Sequence, residues 1–143
     1  MPTKHILING DCRQMSLIPN ESVHLIVTSP PYWQLKDYGN KNQIGFNDTY
    51  EKYINSLNLV WQECYRILQS GCRLCINIGD QFARATYYGR YKVVSIHSEI
   101  IRFCETIGLD GKHHLAKADN HAYNGRRKSN GKLSISTRRH CKN

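Results

Sequence analysis

The segment SVHLIVTSPPYW, residues 22–33, constrains the fold most, because its run of apolar residues stops at two consecutive prolines. Residues 22–27 are almost all apolar and partly β-branched, which is typical of a strand covered on both faces. Pro30 and Pro31 fix φ and have no backbone N–H, so the strand must end before them. The sequence therefore predicts a buried strand that ends in a stiff corner. This proline corner, residues 29–32, offers carbonyl oxygens and few N–H donors.

Strands and helices alternate along the rest of the first three quarters of the chain. Two more short apolar runs, 4–9 and 73–78, predict strands. A helix is predicted over 48–68, with Asp48 as its cap and apolar residues at helical spacing. A second helix is predicted over roughly 91–107. This alternation predicts an α/β fold with a mostly parallel sheet.

The basic charge of the chain is concentrated at one end. Of the formal net charge of +9, residues 111–143 contribute +8, with 9 Lys and Arg against 1 acidic residue. This segment has no sustained period and no Pro, Phe or Trp, so its composition predicts a disordered basic tail after a structured part, residues 1–110. A basic tail also permits a second interpretation of the whole chain, a non-catalytic nucleic-acid-binding protein.

The composition predicts a soluble, cytoplasmic protein without a membrane partner. No secretory segment follows Met1, and no apolar run approaches the ~20 residues that a membrane span needs. The six cysteines are scattered, which favours reduced thiols. Cys72 and Cys75 form a C-x-x-C within a predicted strand, where residues three apart point to opposite faces. We therefore expect no metal site.

Three polar clusters follow the three predicted strands: Asn9-Gly10-Asp11, residues 28–33 and residues 77–80. In an open α/β sheet, ligands bind outside the carboxyl ends of the strands, so the clusters predict one shared site. An ordinary turn is the alternative for either Gly-Asp pair. The proline corner with its adjacent aromatic residues is harder to explain as a turn.

The segments "GDCRQM", "ESVHLIVTSPPYWQLKDYG" and "GCRLCINIGD" resemble the amino-methylating DNA methyltransferases, which modify the exocyclic amine of cytosine at N4 or of adenine at N6. The resemblance covers about residues 4–110, and "TSPPY" is its most specific part. It implies an enzyme that uses S-adenosylmethionine, has a Rossmann-like sheet and acts on double-stranded DNA. A cognate restriction endonuclease, within a restriction-modification system, is the further partner that it implies.

The resemblance gives the proline corner a chemical role. The lone pair of an exocyclic amine is delocalised into the ring, so the nitrogen becomes a nucleophile when acceptors hold its hydrogens. Ser29 Oγ and the Pro30 carbonyl would be these acceptors, Pro31 would stiffen the corner, and Tyr32 would stack on the base after it leaves the duplex. Serine before the two prolines favours cytosine N4, and adenine N6 stays open.

The remaining site residues are also implied by the resemblance. Asp11 corresponds to the acidic residue that contacts the adenine moiety of the cofactor. The candidate cofactor-binding residues are Asn9, Gly10, Asp11, Thr28, Asn77, Gly79 and Asp80. The candidate DNA-binding residues are Trp33, Lys36 and Arg84, of which the two basic ones fit solvated surface equally well.

One family feature is missing from this sequence. The family holds the methionine half of the cofactor with a Gly-x-Gly loop, and this chain contains no Gly-x-Gly. We therefore expect an incomplete sheet and an inactive fragment, truncated or frameshifted after about residue 110. Back-translated and read one nucleotide later, "KHHLAKADNHAYN" becomes compatible with "NIIWQKPTTMHTT", which resembles the family's continuation. An inert end and a DNA-binding arm are the other interpretations of the tail.

Overall fold

The computed structural model describes residues 2–83, 89–90, 92–114 and 132–139. No helix among these residues is both long and apolar enough to cross a membrane. In chain order the elements are β1 (Val23–Thr28), α1 (Tyr50–Ile67), β2 (Leu68–Gly79), β3 (Gln81–Ala83), β4 (Lys92–Val94), α2 (Ile96–Thr106), β5 (Leu109–His114) and β6 (Lys132–Arg139).

Among the described residues, four strands form the main sheet, in the order β1-β2-β6-β5. β1 and β2 are parallel and joined through α1, whereas β6 pairs antiparallel with both β2 and β5. β3 and β4 form a separate antiparallel pair. The α/β prediction is confirmed as a partial Rossmann-like fold, whose parallel part is the β1–β2 pair.

The core lies between one face of the sheet and the two helices. Leu74, Ile76 and Ile78 of β2 are buried, whereas Arg73 and Asn77 are exposed. Alternate residues of a strand point to opposite faces, so one face of β2 meets the apolar sides of α1 and α2. Each fully buried Leu or Ile contributes about 1.5–3 kcal/mol relative to an exposed position.

The strand predicted over 4–9 is not formed. These residues are exposed and have no strand neighbour in the described part of the chain; Leu7 is 97% exposed. A strand is stable only when its backbone groups pair with a neighbouring strand. Local β propensity was therefore not sufficient at this segment.

The two predicted helices are present with shifted ends. α1 begins after Thr49, whose side chain accepts a hydrogen bond of 3.3 Å from Lys52 N. The prediction of Asp48 as the cap was wrong by one residue, because that carboxylate is used inside the preceding loop. α2 begins at Ile96 because residues 92–94 extend to pair with β3.

Two strands occupy parts of the segment for which composition predicts disorder. β6 inserts between β2 and β5, and Arg139 at its end is 5% exposed. The Arg139 guanidinium donates to Leu68 O and, at 2.7 Å, to Glu21 Oε1, and it lies 4.4 Å from the centre of the Tyr65 ring. The disorder prediction therefore does not describe residues 132–139, while residues 115–131 and 140–143 lie outside the described structure. The origin of the segment stays a prediction.

Candidate functional site

Hydrogen bonds link the proline corner to α1 and to the loop that leads into α1. Pro30 is buried and Ser29 is exposed, so the serine hydroxyl lies on the surface of a fixed backbone. The Tyr53 hydroxyl donates a hydrogen bond of 2.9 Å to the Pro31 carbonyl. Trp33 Nε1 donates one of 2.9 Å to Asp48 O. Both sides of the corner are therefore tied to the start of α1.

Residues 34–48 return the chain from the corner to the helix. Gln34 N donates to Gly45 O at 3.0 Å, and Gly45 N donates to Asp48 Oδ2 at 2.8 Å. Gly45 has a φ of 98°, in the region that favours glycine. Lys52 Nζ lies 2.7 Å from Asp48 Oδ1, and this hydrogen bond holds the pKa of the Asp48 carboxyl below its usual range. The loop is thus closed by a charged pair next to a glycine turn.

Aromatic rings, those of Trp33 and Tyr50 among them, pack next to the corner. The rings of Trp33 and Tyr50 meet edge to face, with centroids 5.2 Å apart, a favourable geometry for an aromatic pair. Burial raises the pKa of Tyr53, and burial followed by the charges of Glu99 and Asp80 raises that of Tyr50. Both phenols therefore stay neutral at physiological pH.

The carboxyl ends of β1 and β2 lie side by side, as predicted. The strands are parallel and Thr28 is the register partner of Ile76, so the residues after β1 are next to those near the end of β2. Asp80, directly after β2, has its Oδ1 atom 2.5 Å from His97 Nδ1 in the first turn of α2. His97 was not among the predicted site residues. A single polar residue within an otherwise apolar stripe was the signal that could have identified it.

The first cluster, Asn9-Gly10-Asp11, does not follow a strand, and all three residues are exposed. The Asp11 carboxylate is bound by Arg13 at 2.6 Å, and the side-chain hydrogen bonds from Arg13 lower the pKa of Asp11. The segment after this cluster is bound to α1, because Met15 N donates a hydrogen bond of 2.7 Å to Glu63 Oε2. This cluster is therefore positioned by a helix and not by the predicted strand.

The other candidate cofactor-binding residues belong to β1 and β2. Thr28 is half-buried, Asn77 is exposed and Gly79 is buried. Asn77 lies on the same face of β2 as exposed Arg73, away from the helices. These residues and Asp80 lie at the carboxyl ends of the parallel strands β1 and β2, as the sequence predicts.

The three candidate DNA-binding residues differ in their surroundings. Lys36 is exposed in the loop after the corner, with its ammonium 5.2 Å from the centre of the Tyr38 ring. Trp33 is only 7% exposed, so it cannot lie on DNA without leaving the core. In the structure Trp33 supports the corner through its hydrogen bond to Asp48 O, and its contact with DNA stays a prediction. Arg84 lies outside the described residues.

A partial Rossmann-like sheet with a Ser-Pro-Pro-Tyr corner at a strand end defines the class of the amino-methylating DNA methyltransferases. The sequence model of the DNA methylase family N6_N4_Mtase matches residues 23–129. The chain belongs to this family. The match extends past the predicted boundary at residue 110.

Two similar proteins give the extent of the match. The type II methyltransferase M.MjaI of Methanocaldococcus jannaschii is 36% identical over 130 residues, covering 75% of this chain and 42% of that protein. The structure of TTHA0409 from Thermus thermophilus, assigned as a DNA modification methylase, is 30% identical with a TM-score of 0.70 and covers 94% of this chain. The chain spans only 53% of TTHA0409.

A complex of the same Thermus protein with S-adenosyl-L-methionine matches with a TM-score of 0.69 and 30% identity. The cytosine-N4-specific PvuII DNA methyltransferase matches with a TM-score of 0.55, covering 90% of this chain and 46% of that one. Its 16% identity shows the fold alone.

Proposed function

We propose that this chain carries the base-binding part of an S-adenosylmethionine-dependent DNA amino-methyltransferase. The observation that carries the proposal is the corner itself, in which an exposed Ser29 stands beside a backbone fixed by Tyr53 and Trp33. Cytosine N4 is the favoured target and adenine N6 is the alternative. Membership of the DNA methylase family supports this assignment.

The hydrogen-bond pattern of the corner fits an amine that brings two hydrogens. The Pro31 carbonyl already accepts from Tyr53, which leaves Ser29 Oγ and the Pro30 carbonyl as the proposed acceptors. With both N–H bonds held, the amine nitrogen can pyramidalise and direct its lone pair at a methyl group. Tyr32 is half-buried against the core, and its ring is the proposed surface on which an extruded base stacks.

The cofactor supplies an electrophilic methyl group when bound, and the residues of this chain fit one side of it. Asp11 and Asp80 offer carboxylates, which suit the hydroxyl and amino groups of a nucleoside. Arg13 and His97 hold these carboxylates in place. The loop proposed to hold the methionine half has no matching Gly-x-Gly in the sequence. We therefore propose that this chain alone does not transfer methyl groups.

The proposed substrate is double-stranded DNA, with Lys36 as a phosphate contact on an exposed loop. Several relatives are type II methyltransferases, which supports a role beside a cognate restriction endonuclease in the cytoplasm. These partners belong to the complete enzyme.

The basic segment after residue 110 is proposed to arise from a change of reading frame. The nucleotide sequence after codon 110 tests this directly. A next frame that continues as an open methyltransferase supports the proposal, and a next frame that closes at once contradicts it.

The function is tested by methyl transfer from labelled S-adenosylmethionine to mixed-sequence DNA. The purified protein is assayed with and without the separately produced part of TTHA0409 that this chain does not match. We expect transfer only in the mixture, loss of transfer with Ser29→Ala, and normal transfer with the control Ser16→Ala. Mass spectrometry of the nucleosides then distinguishes N4-methylcytosine from N6-methyladenine.

Two outcomes would change the assignment. Methyl transfer by the protein alone would contradict its status as an inactive part. DNA binding without transfer in the mixture, insensitive to Ser29→Ala, would favour the non-catalytic nucleic-acid-binding alternative.

A further inference from the structure

The loop that follows the proline corner, residues 34–43, is exposed but internally braced. The Gln43 side chain spans this loop with both of its polar atoms. Its Oε1 atom accepts a hydrogen bond of 2.7 Å from Tyr38 N, and its Nε2 atom donates one of 2.9 Å to Lys36 O. Backbone groups that are paired in this way have a defined conformation. The loop therefore presents its side chains from a fixed backbone.

Leu35 lies at the start of this loop, directly after a strained residue. Gln34 has a φ of 51°, in the left-handed region that residues other than glycine adopt at a cost. Gln34 N donates to Gly45 O at 3.0 Å, and Gln34 Nε2 donates at 3.4 Å to Asp48 O, the carbonyl that also binds Trp33 Nε1. Such strain is concentrated at functional sites. The contacts that fix the proline corner therefore also fix the backbone that carries Leu35.

Leu35 presents an apolar side chain to solvent beside a cation. It is 62% exposed, and the ammonium of the adjacent Lys36 lies 5.2 Å from the centre of the Tyr38 ring. Asp37 is the one acidic residue of the loop, and its carboxylate accepts a hydrogen bond from within the loop. A single exposed leucine is ordinary on a protein surface. An apolar side chain with a cation next to it, however, suits a partner that has apolar surface between negative charges.

Double-stranded DNA that is opened at one base is such a partner. Extrusion of a base leaves a gap between the neighbouring base pairs, flanked by phosphates. Proteins insert leucine and other apolar side chains between base steps, and a leucine that enters the gap is removed from water. Leu35 is three residues from Tyr32, a span of at most about 11 Å, or roughly three base steps of about 3.4 Å. Leu35 is thus within reach of the place that a base stacked on Tyr32 leaves.

We propose that Leu35 enters the DNA base stack and fills the gap that the extruded target base leaves, with Lys36 on a neighbouring phosphate. The inference rests on the proposed function, since it requires an extruded base. It gives Leu35 a role distinct from those of Ser29 and Tyr32. These two residues bind the extruded base, whereas Leu35 stabilises the opened duplex from which the base came.

The test uses DNA in which the gap is already present. The full 143-residue protein is titrated into a labelled duplex with one abasic site and into the fully paired duplex of the same sequence. Fluorescence anisotropy gives both Kd values. We expect the abasic duplex to bind more tightly by about tenfold, because no base has to be unstacked and the gap accepts Leu35. Leu35→Ala should reduce this preference to about twofold or less, and Leu35→Met should keep it.

Two controls separate insertion from general attraction to DNA. Lys36→Gln should weaken binding to both duplexes by the same factor, because a phosphate contact does not depend on the gap. Leu59→Ala removes another exposed apolar side chain, one that is 49% exposed on α1, and should leave both Kd values unchanged. Leu35→Ala should leave the Tm of the free protein nearly unchanged, since its side chain is already exposed.

Several results would overturn the insertion. They are equal binding of the two duplexes, no binding of the abasic duplex at about 100 μM, and a preference that Leu35→Ala does not reduce. A large fall in Tm with Leu35→Ala would overturn it too, because the chain itself would then cover the side chain. Self-association that Leu35→Ala abolishes would make a second copy the occupant instead.

The base-binding function fails in a different measurement. The abasic duplex has no target base, so Ser29 takes no part in the preference for the gap. Methyl transfer that depends on Ser29, together with a preference that does not depend on Leu35, would overturn the insertion alone. A preference that depends on Leu35, without transfer that depends on Ser29, would support the insertion and overturn the assignment of the proline corner.

Discussion

The Tyr53 hydroxyl donates a hydrogen bond of 2.9 Å to the carbonyl oxygen of Pro31. The two residues are 22 positions apart, and the bond links the first turn of α1 to the corner that ends β1. Without this bond, the Pro31 carbonyl would lose the hydrogen bond that it accepts from the helix. The corner therefore depends on the helix for its position.

Tyr53→Phe tests this link by removing one oxygen atom. We expect the free energy of unfolding to fall by about 1–2 kcal/mol, because a partly buried carbonyl loses its hydrogen bond. Urea denaturation measures the change. Tyr38→Phe, the same change at a side chain that is 54% exposed, should have little effect. Equal losses in the two variants would contradict the role of the Tyr53 bond.

Gly45→Ala tests the packing of the loop beneath the corner. Gly45 has a φ of 98°, and an added Cβ would lie 2.8 Å from Tyr53 Cδ2 and 3.4 Å from Trp33 Cα. Gly39 also has a positive φ, 74°, but an added Cβ would meet nothing within 4 Å. Gly39→Ala should cost about 1–2 kcal/mol for its backbone conformation alone. Gly45→Ala should cost a further 1–3 kcal/mol, roughly, for the clash, as measured by urea denaturation.

Tryptophan fluorescence tests whether Trp33 stays in the core or contacts DNA. The chain has only 2 tryptophans, and both Trp33 and Trp61 are buried. Trp61 Nε1 makes no hydrogen bond in the described structure, so Trp61→Phe loses none and leaves Trp33 as the reporter. We expect blue-shifted emission that iodide quenches weakly and that DNA does not change. Tyr38→Trp in this background is the exposed control, and quenching of Trp33 by DNA would contradict its burial.

The sequence predicted those parts of the fold that depend on local pattern. The strand before Ser29 and both helices are present as predicted, because apolar periodicity and turn residues determine them locally. The prediction that this strand is covered on both faces was wrong, because Leu25 is 57% exposed and Val27 is 72% exposed. The prediction of a strand over 4–9 was wrong, because a strand needs a neighbouring strand to pair with and local composition does not show whether one is present. β6 was missed because its partner β2 is more than 50 residues away in sequence, so no local period marks it.

The candidate site was predicted to a similar extent. The corner and the end of β2 lie together because neighbouring parallel strands have their carboxyl ends on the same side of the sheet. The supports of the corner, Tyr53 and Asp48, were not predicted as site residues, since they act through hydrogen bonds to the backbone. The sequence did not indicate that Trp33 is buried, because an aromatic residue next to a motif has the same composition whether it is buried or exposed.

Two buried thiols predict a loss of stability at alkaline pH. Burial is the largest cause that raises the pKa of Cys64 to about 12, and the same holds for Cys104. Below about pH 9 both folded and unfolded chains keep these protons, so the thiols impose no pH dependence. Between about pH 9 and 12 the unfolded chain releases them while the folded chain retains them. The free energy of unfolding should therefore fall by about 1.4 kcal/mol per pH unit for each thiol.

Cys64→Ala separates this effect from the titration of other groups. Urea denaturation at several pH values should give a shallower decline for this variant, by about 1.4 kcal/mol per pH unit. Val60→Ala is the matched control, because it truncates another buried side chain of α1 that does not titrate. It should lower the stability at every pH without changing the slope. An unchanged slope for Cys64→Ala would mean that this thiol ionises equally in both states, contrary to its burial against the sheet.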